Sequence, residues 1–303
     1  MTAATIALPL RVGARTVACV SRRLIRVAFT LEQARAGELG RLPPLAREVD
    51  GYIIAAMPAG LLRPLVEANP HLTPFVRQRY RRSYASLEGS FDAYLAGFSS
   101  KSRSTLKRKV RKLEERSGGT LDLRSYRVPE EVEEFYRHAR AVSSMTYQER
   151  LLDAGLPEGD SFLADIRERA RHDSMRGWIL FLDGAPISYL YAPAEGRTLI
   201  YAYLGYDPAF ADLSPGTVLQ YEAMRQLMGE GRFTLFDFTE GEGQHKRQFG
   251  TGFVDCVDLL LVRRTVANLV AGNLLNGFDA AVAGTKRAAA ALGLEKLART
   301  FTR

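Results

Sequence analysis

The chain has 303 residues, of which 46% are hydrophobic and 25% charged, a make-up that excludes a disordered or low-complexity protein. That length buries a sizeable core and suits two domains or one large α/β unit. A formal charge of +8 and a pI near 9.6 point to an anionic partner: nucleic acid, a phosphorylated cofactor or an acidic membrane face.

Two cysteines, Cys19 and Cys256, stand far apart without histidine companions, so neither a disulfide framework nor a metal site is expected. The N-terminal stretch lacks the uninterrupted apolar core of a signal peptide, and no run of eighteen apolar residues occurs. The expectation is a cytoplasmic protein without a membrane span, with the inner face of the cell membrane as a place for peripheral attachment.

Residues 1–89 alternate weak strand and helix signals: TVACV, a polar helix over Leu31–Leu39, YIIAAMP, the short helix GLLRPLVEA, then FVRQRY and SYASL, punctuated by Pro43, Pro44, Pro58, Pro64, Pro70 and Pro74. From Ser90, FDAYLAGF and SSKSRSTLKRKVRKLEERSGG read as two helices, the second closed by Gly118 and Gly119. In that second helix Leu106, Val110 and Leu113 make one apolar stripe, and Lys101, Arg103, Lys107, Arg108, Lys109, Arg111, Lys112 and Arg116 cover the rest. Such a surface is either a solvated face over a core stripe or a platform for phosphates.

A strand, LDLRSY, and a helix opened by Pro129 follow, then SSMTYQERLL and a helix over Ser161–His172. GWILFLDGAPISYLYAP reads as a hairpin turning at Asp183-Gly184, and RTLIYAYLGYDP as a further strand. Pro215–Met228 is a helix capped by Ser214, and FTLFDF and VDLLLV are strands. Two helices close the chain, Val266–Val282 and Lys286–Arg299, apolar on one side and basic beyond, suited to an anionic membrane or to packing on a sheet.

The densest chemistry lies in RFTLFDFTEGEGQHKRQFG, residues 232–250, where an apolar strand ends in a loop carrying Asp237, Glu240, Glu242, His245 and Lys246. Acid, base and cation meet there; a solvated loop has the same look. Glu242 orienting His245 makes a base near neutral pKa. Lys246 suits phosphate or developing charge. Asp237, in phase with Leu235, faces a buried partner either as a structural acceptor or as a catalyst. Tyr147, Tyr201, Tyr203 and Tyr206 are candidates for lining an acceptor pocket or protonating a leaving group.

The succession LFLDGAPISYLYA, YAYLGYDP, LSPGTVLQYEAMRQL and FTLFDFTEGEGQHKRQFGT resembles the GNAT acyltransferase fold, in the branch of cellulose-biosynthesis-type acetyltransferases related to Fem-type peptidoglycan aminoacyltransferases. With SFDAYLAGFSSKSRSTLKRKVRKLE upstream, the likeness spans Ser90 to Val262. It implies an α/β (α+β) fold with a mixed, mostly antiparallel central sheet flanked by helices. The implied organisation is an N-terminal lobe at 1–89, a degenerate GNAT half, an acyltransferase domain at 90–262, and C-terminal amphipathic basic helices at 263–303.

The resemblance further implies acyl-CoA as co-substrate, with no permanently bound cofactor, and an amine as acceptor. Ser214, Gly216, Thr217 and Lys246 are then the donor-binding residues, and His245, Glu242, Asp237 and Tyr147 the catalytic candidates. Many relatives carry an aromatic residue where His245 precedes Lys246, so the role of His245 is not inherited. The two basic segments favour a lipid acceptor, as in bacterial ceramide synthases, which the arrangement resembles. Alternatives are a sugar acetyltransferase of the cell envelope, an aminoacyl-tRNA-dependent Fem-type transferase and a non-catalytic binding module; nucleic acid is the less favoured partner.

Overall fold

A computed structural model describes residues 2–13, 15–146, 155–241 and 243–291. The chain divides into two compact units, one of residues 1–81 with 254–303 and one of residues 82–253.

The first unit is built on strands β1 (Ala3–Val12), β2 (Arg15–Ala28), β3 (Gly51–Pro58), β4 (Leu72–Ser86) and β11 (Gly252–Arg263), in the order β1-β2-β3-β11-β4. β1 was not foreseen, although it pairs with β2 along its whole length from Ala3 opposite Ile25 to Val12 opposite Arg15. The two segments FVRQRY and SYASL prove to be one strand, β4. VDLLLV is apolar apart from Asp258, which accepts from Ala56 N–H, because both of its faces are covered. Val257, Leu259 and Leu261 join Ile54, Leu65 and Leu72, on the side of helix α2 (Leu62–Ala68), while helix α1 (Leu31–Ala36) contacts β3. Leu260 and Val262 join Phe75 and Leu275, on the side of helix α9 (Val266–Ala291). α9 runs unbroken through the break expected between Val282 and Lys286; the sequence there holds no proline and only glycine-interrupted alanine runs, which a helix tolerates.

The second unit orders its strands as β4, β10 (Leu235–Asp237), β8 (Thr198–Ile200), β7 (Ala185–Glu195), β6 (Met175–Leu182) and β5 (Asp122–Tyr126), with β9 (Tyr203–Tyr206) paired to β7. Among the described registers only β2–β3 and β8–β10 are parallel. The hairpin between β6 and β7 turns on Asp183 (φ 51°) and Gly184 (φ 78°), the positive-φ pair of a tight antiparallel turn.

Every residue of β6 is buried, and alternate side chains serve two cores. Trp178, Leu180 and Leu182 pack under helices α4 (Ser100–Arg116) and α7 (Pro215–Glu230). Ile179 and Phe181 pack under α5 (Val132–Ser143) and α6 (Asp160–Arg171). The remaining helices are α3 (Phe91–Ala96) and α8 (Gln244–Phe249).

Candidate functional site

The predicted strand RTLIYAYLGY breaks in two, and the break opens the sheet. β8 pairs with β7 on one side and with β10 on the other. At the next two residues the backbone divides its loyalty: Tyr201 N–H donates to Asp237 O at 2.8 Å, on the β10 side, and Ala202 N–H to Tyr191 O at 3.3 Å, on the β7 side. β9 then follows β7 alone, from Tyr203 opposite Tyr191 to Tyr206 opposite Ser188, so its other edge keeps unpaired backbone groups facing the split.

Gly205 stands where a Cβ would come within 2.5 Å of the Tyr189 ring and 2.7 Å of Thr146 Cγ2, so only glycine lets β9 lie this close. A cavity of about 570 Å³ occupies the split, walled by Tyr201, Leu204, Tyr206 and Phe249. Burial pushes the Tyr201 phenol well up, with Tyr189 adding to the shift, so it stays protonated as a donor.

The start of α7 forms one end of this cavity through Ser214, Gly216 and Thr217. Ser214 does not cap the helix as expected. It sits in the left-handed region (φ 55°, ψ 47°), and its side chain makes no cap hydrogen bond. Thr217 and Val218 N–H groups both return to Ser214 O, at 3.0 and 3.1 Å, and Pro215 has no N–H. Among the described residues this leaves the Gly216 N–H as the free backbone donor at the positive end of the helix dipole.

A cation joins it. Lys109 Nζ of α4 donates to Thr217 Oγ1 at 3.3 Å, and burial together with Arg108 holds its ammonium below the ordinary lysine value. Lys109, Lys112 and Arg116 form one row of α4 beside the apolar stripe. Lys112 reaches Asp212 and Arg116 reaches Asp183, while Lys107 and Arg108 remain exposed.

Below the end of β10, Asp237 is fully buried and paired with Arg82, whose Nε and Nη2 approach Oδ2 at 3.0 and 2.5 Å. Its other oxygen accepts from Thr239 N–H at 2.8 Å. α8 is fastened at its C-terminal end, where Tyr94 Oη donates to Phe249 O at 2.6 Å and Thr251 N–H donates to Tyr84 O at 2.8 Å. Gln248 and Phe249 thereby face the same cavity as the start of α7.

Residues 100–247, just under half of the chain, match the acetyltransferase (GNAT) domain family. Comparison with curated proteins gives no match. Among solved structures, FemX shares the fold at 12% identity and a TM-score of 0.53, over 74% of this chain and 75% of that one. The C-terminal domain of a protein described as a lysylphosphatidylglycerol synthetase, from Agrobacterium fabrum, does so at 13% identity and 0.51, over 74% and 71%. A conserved protein of unknown function from Bacteroides thetaiotaomicron does so at 11% and 0.51, over 70% of each chain. The chain is thus a mixed α/β protein with a mostly antiparallel sheet flanked by helices, of GNAT-like fold.

The residues expected at the site divide into groups. Ser214, Gly216 and Thr217 gather at the cavity. Lys246 turns instead to the loop before α8, donating to Thr239 O at 3.4 Å and to Glu240 O, with burial lowering its ammonium pKa against the pull of Asp237 and Glu240. Asp237 has both oxygens committed to Arg82 and Thr239. Tyr147, Glu242 and the side chain of His245 lie outside the described residues. Tyr201 and Tyr206 line the cavity, whereas Tyr203 packs with Phe162 and Tyr191.

Sequence reasoning passed over Arg82 and Gln220, and took Lys109 only as one of eight cations on the basic helix. Lys109 carried a further signal: it lies three positions after Leu106 and four before Leu113, on the inward flank of the stripe. Gln220 stood out only as an amide among Val218, Leu219, Tyr221 and Met224. Among the described residues no group of three or more His, Cys, Asp or Glu could hold a metal, and no helix is long and apolar enough to cross a membrane.

Proposed function

We propose that this domain transfers an acyl group from a coenzyme A thioester to an amine, and that its acceptor is a lipid amine of the sphingoid-base kind receiving a long-chain fatty acyl group. The observation that carries this reading is the split between β9 and β10 opening onto the start of α7. There the Gly216 N–H, the Thr217 hydroxyl and the Lys109 ammonium converge on one end of a cavity. Backbone N–H, helix dipole and a cation together suit the phosphates of the donor. The thioester arm then runs into the split along the unpaired edge of β9.

Acyl transfer requires an unprotonated amine, a base for its second proton, and donors for the oxyanion and the departing thiolate. The Tyr201 phenol, protonated by virtue of its burial, serves as hydrogen-bond donor to the thiolate. His245 is the proposed base, with Glu242 as the carboxylate proposed to orient it. Gln248 and Phe249, which follow His245 in sequence within α8, border the cavity.

The lipid acceptor is supported by α9 of the other unit, where Val266, Val270 and Leu274 recur at every fourth position and stay 80%, 61% and 50% exposed. Such a stripe suits the surface of a bilayer. A second reading, an aminoacyl-tRNA-dependent transferase of Fem type, is favoured by the shared fold with FemX and the lysylphosphatidylglycerol synthetase domain, and by the net charge of +8.

The test supplies purified protein with palmitoyl-CoA and sphinganine in lipid vesicles and analyses the lipids by mass spectrometry. An amide product with release of free thiol supports the proposal. Absence of the amide, together with acetyl-CoA consumption on a sugar acceptor, refutes the lipid acceptor. Absence of any CoA binding, together with salt-sensitive retention of charged tRNA, refutes the donor and supports the second reading.

A further inference from the structure

Gln220 lies one turn into α7 from Gly216 and lines the same cavity, yet it is only 2% exposed. Neither its Oε1 nor its Nε2 has a hydrogen-bond partner among the described residues. A buried carboxamide that satisfies neither of its ends is destabilising, because both groups lost water on folding and gained nothing in return. Its neighbours Val218, Leu219, Ala223 and Met224 are apolar and buried, so a leucine at this position would be the choice of packing alone. An unpartnered polar group on a residue that borders a cavity calls for a partner from outside the chain.

The two orphan atoms define what that group must be. A phosphate offers acceptors only and would leave Oε1 unsatisfied; an ammonium offers donors only and would leave Nε2 unsatisfied. A group that carries both N–H and C=O satisfies the pair. In a single trans amide the N–H and C=O point in opposite directions, so the natural match is a flexible arm with two amides in succession, the N–H of one and the C=O of the other. Helical side chains lean toward the N-terminus. Gln220 follows Gly216 by four residues, one turn along the same face of α7.

Resting on the donor assignment above, we propose that Gln220 is a specificity residue of the site, accepting from one amide N–H and donating to one amide C=O of the donor's thioester-bearing arm. It selects a donor whose arm carries amides and rejects a phosphorylated ligand whose arm does not. Its work is in binding, and the chemical step does not depend on it.

The experiment compares the full-length protein with Gln220→Leu and Gln220→Met, using calorimetric titration with two probes. Coenzyme A carries the amide-bearing arm; ADP keeps the adenine and pyrophosphate but lacks that arm. Losing two neutral hydrogen bonds weakens coenzyme A binding by about tenfold or more, while ADP affinity and the melting temperature of both variants stay at or above the wild-type values. In turnover the KM for the thioester rises with kcat held.

Equal coenzyme A affinity in wild type and variants overturns the proposal and leaves the donor assignment standing. Equal weakening of coenzyme A and ADP also overturns it, since the carboxamide would then be reading the adenine. A large fall in melting temperature in both variants overturns it in favour of a purely structural glutamine. Wild-type protein that binds neither probe overturns the donor assignment and this proposal with it.

Discussion

Asp237 and Arg82 provide the sharpest test of what the buried charge beneath the site does. Asp237 is 0% and Arg82 9% exposed, and the guanidinium meets the carboxylate through both Nε and Nη2. Two unit charges about 3 Å apart attract by roughly 5 kcal/mol at an effective dielectric near 20, much of which offsets the cost of desolvating them. Replacing Asp237 by Leu leaves the arginine charge buried without its partner and removes the acceptor for Thr239 N–H. The expected loss is about 3–5 kcal/mol. For a unit of this size that is a fall in melting temperature of roughly 6–20 °C.

The double variant Arg82→Met/Asp237→Leu removes both charges and should recover most of that loss, because apolar residues of similar volume replace a buried ion pair at little cost. Thermal denaturation of the two singles and the double closes the cycle, and the assay for acyl transfer is run on the double. A single-variant loss below about 1 kcal/mol, the range of exposed pairs, would refute the reasoning. A stable double variant devoid of activity would show that Asp237 takes part in the chemistry after all.

Ser214→Ala should change stability by less than about 0.5 kcal/mol in a denaturant titration, against roughly 1 kcal/mol for a serine that works as an N-cap, because this hydroxyl makes no cap bond. A full capping loss would contradict the left-handed geometry. The lowered Lys109 pKa predicts a pH dependence whose sign follows from linkage. Between the folded value and the ordinary value near about 10.4 the unfolded chain binds more protons, so the stability difference between wild type and Lys109→Met shifts in favour of wild type as pH rises. ADP binding, which needs the ammonium, weakens as pH rises from the lowered folded value towards the ordinary one, and Lys109→Met should flatten that profile. A wild-type profile parallel to that of the variant would remove Lys109 from the anion site.

Much of the second unit was legible because its signals are local. The Asp183-Gly184 turn, the apolar run of β6 and the Leu106, Val110, Leu113 stripe of α4 each announce themselves within a few residues, and each is found where periodicity puts it. Ser214, Gly216 and Thr217 were legible as a helix opening for the same reason, although the cap at Ser214 was misread: a serine before a proline fits a cap and a left-handed turn equally well in one dimension. β1 escaped because its face is only partly buried and its alternation correspondingly weak.

The chain by itself determined the elements, the basic face of α4 and the crowding of ionisable groups after β10. Tertiary structure alone decided that one predicted strand splits at Tyr201 between two neighbours, and thereby where the cavity lies. It also decided the partners of the charges: Arg82 and Asp237 are 155 residues apart, and Lys109 and Thr217 are 108 apart. Hydrophobic periodicity records which side of a residue is buried, since burial is a property of one position and its near neighbours. Whether a buried carboxylate is neutralised, or a buried amide left waiting for a ligand, depends on which distant segment folds against it.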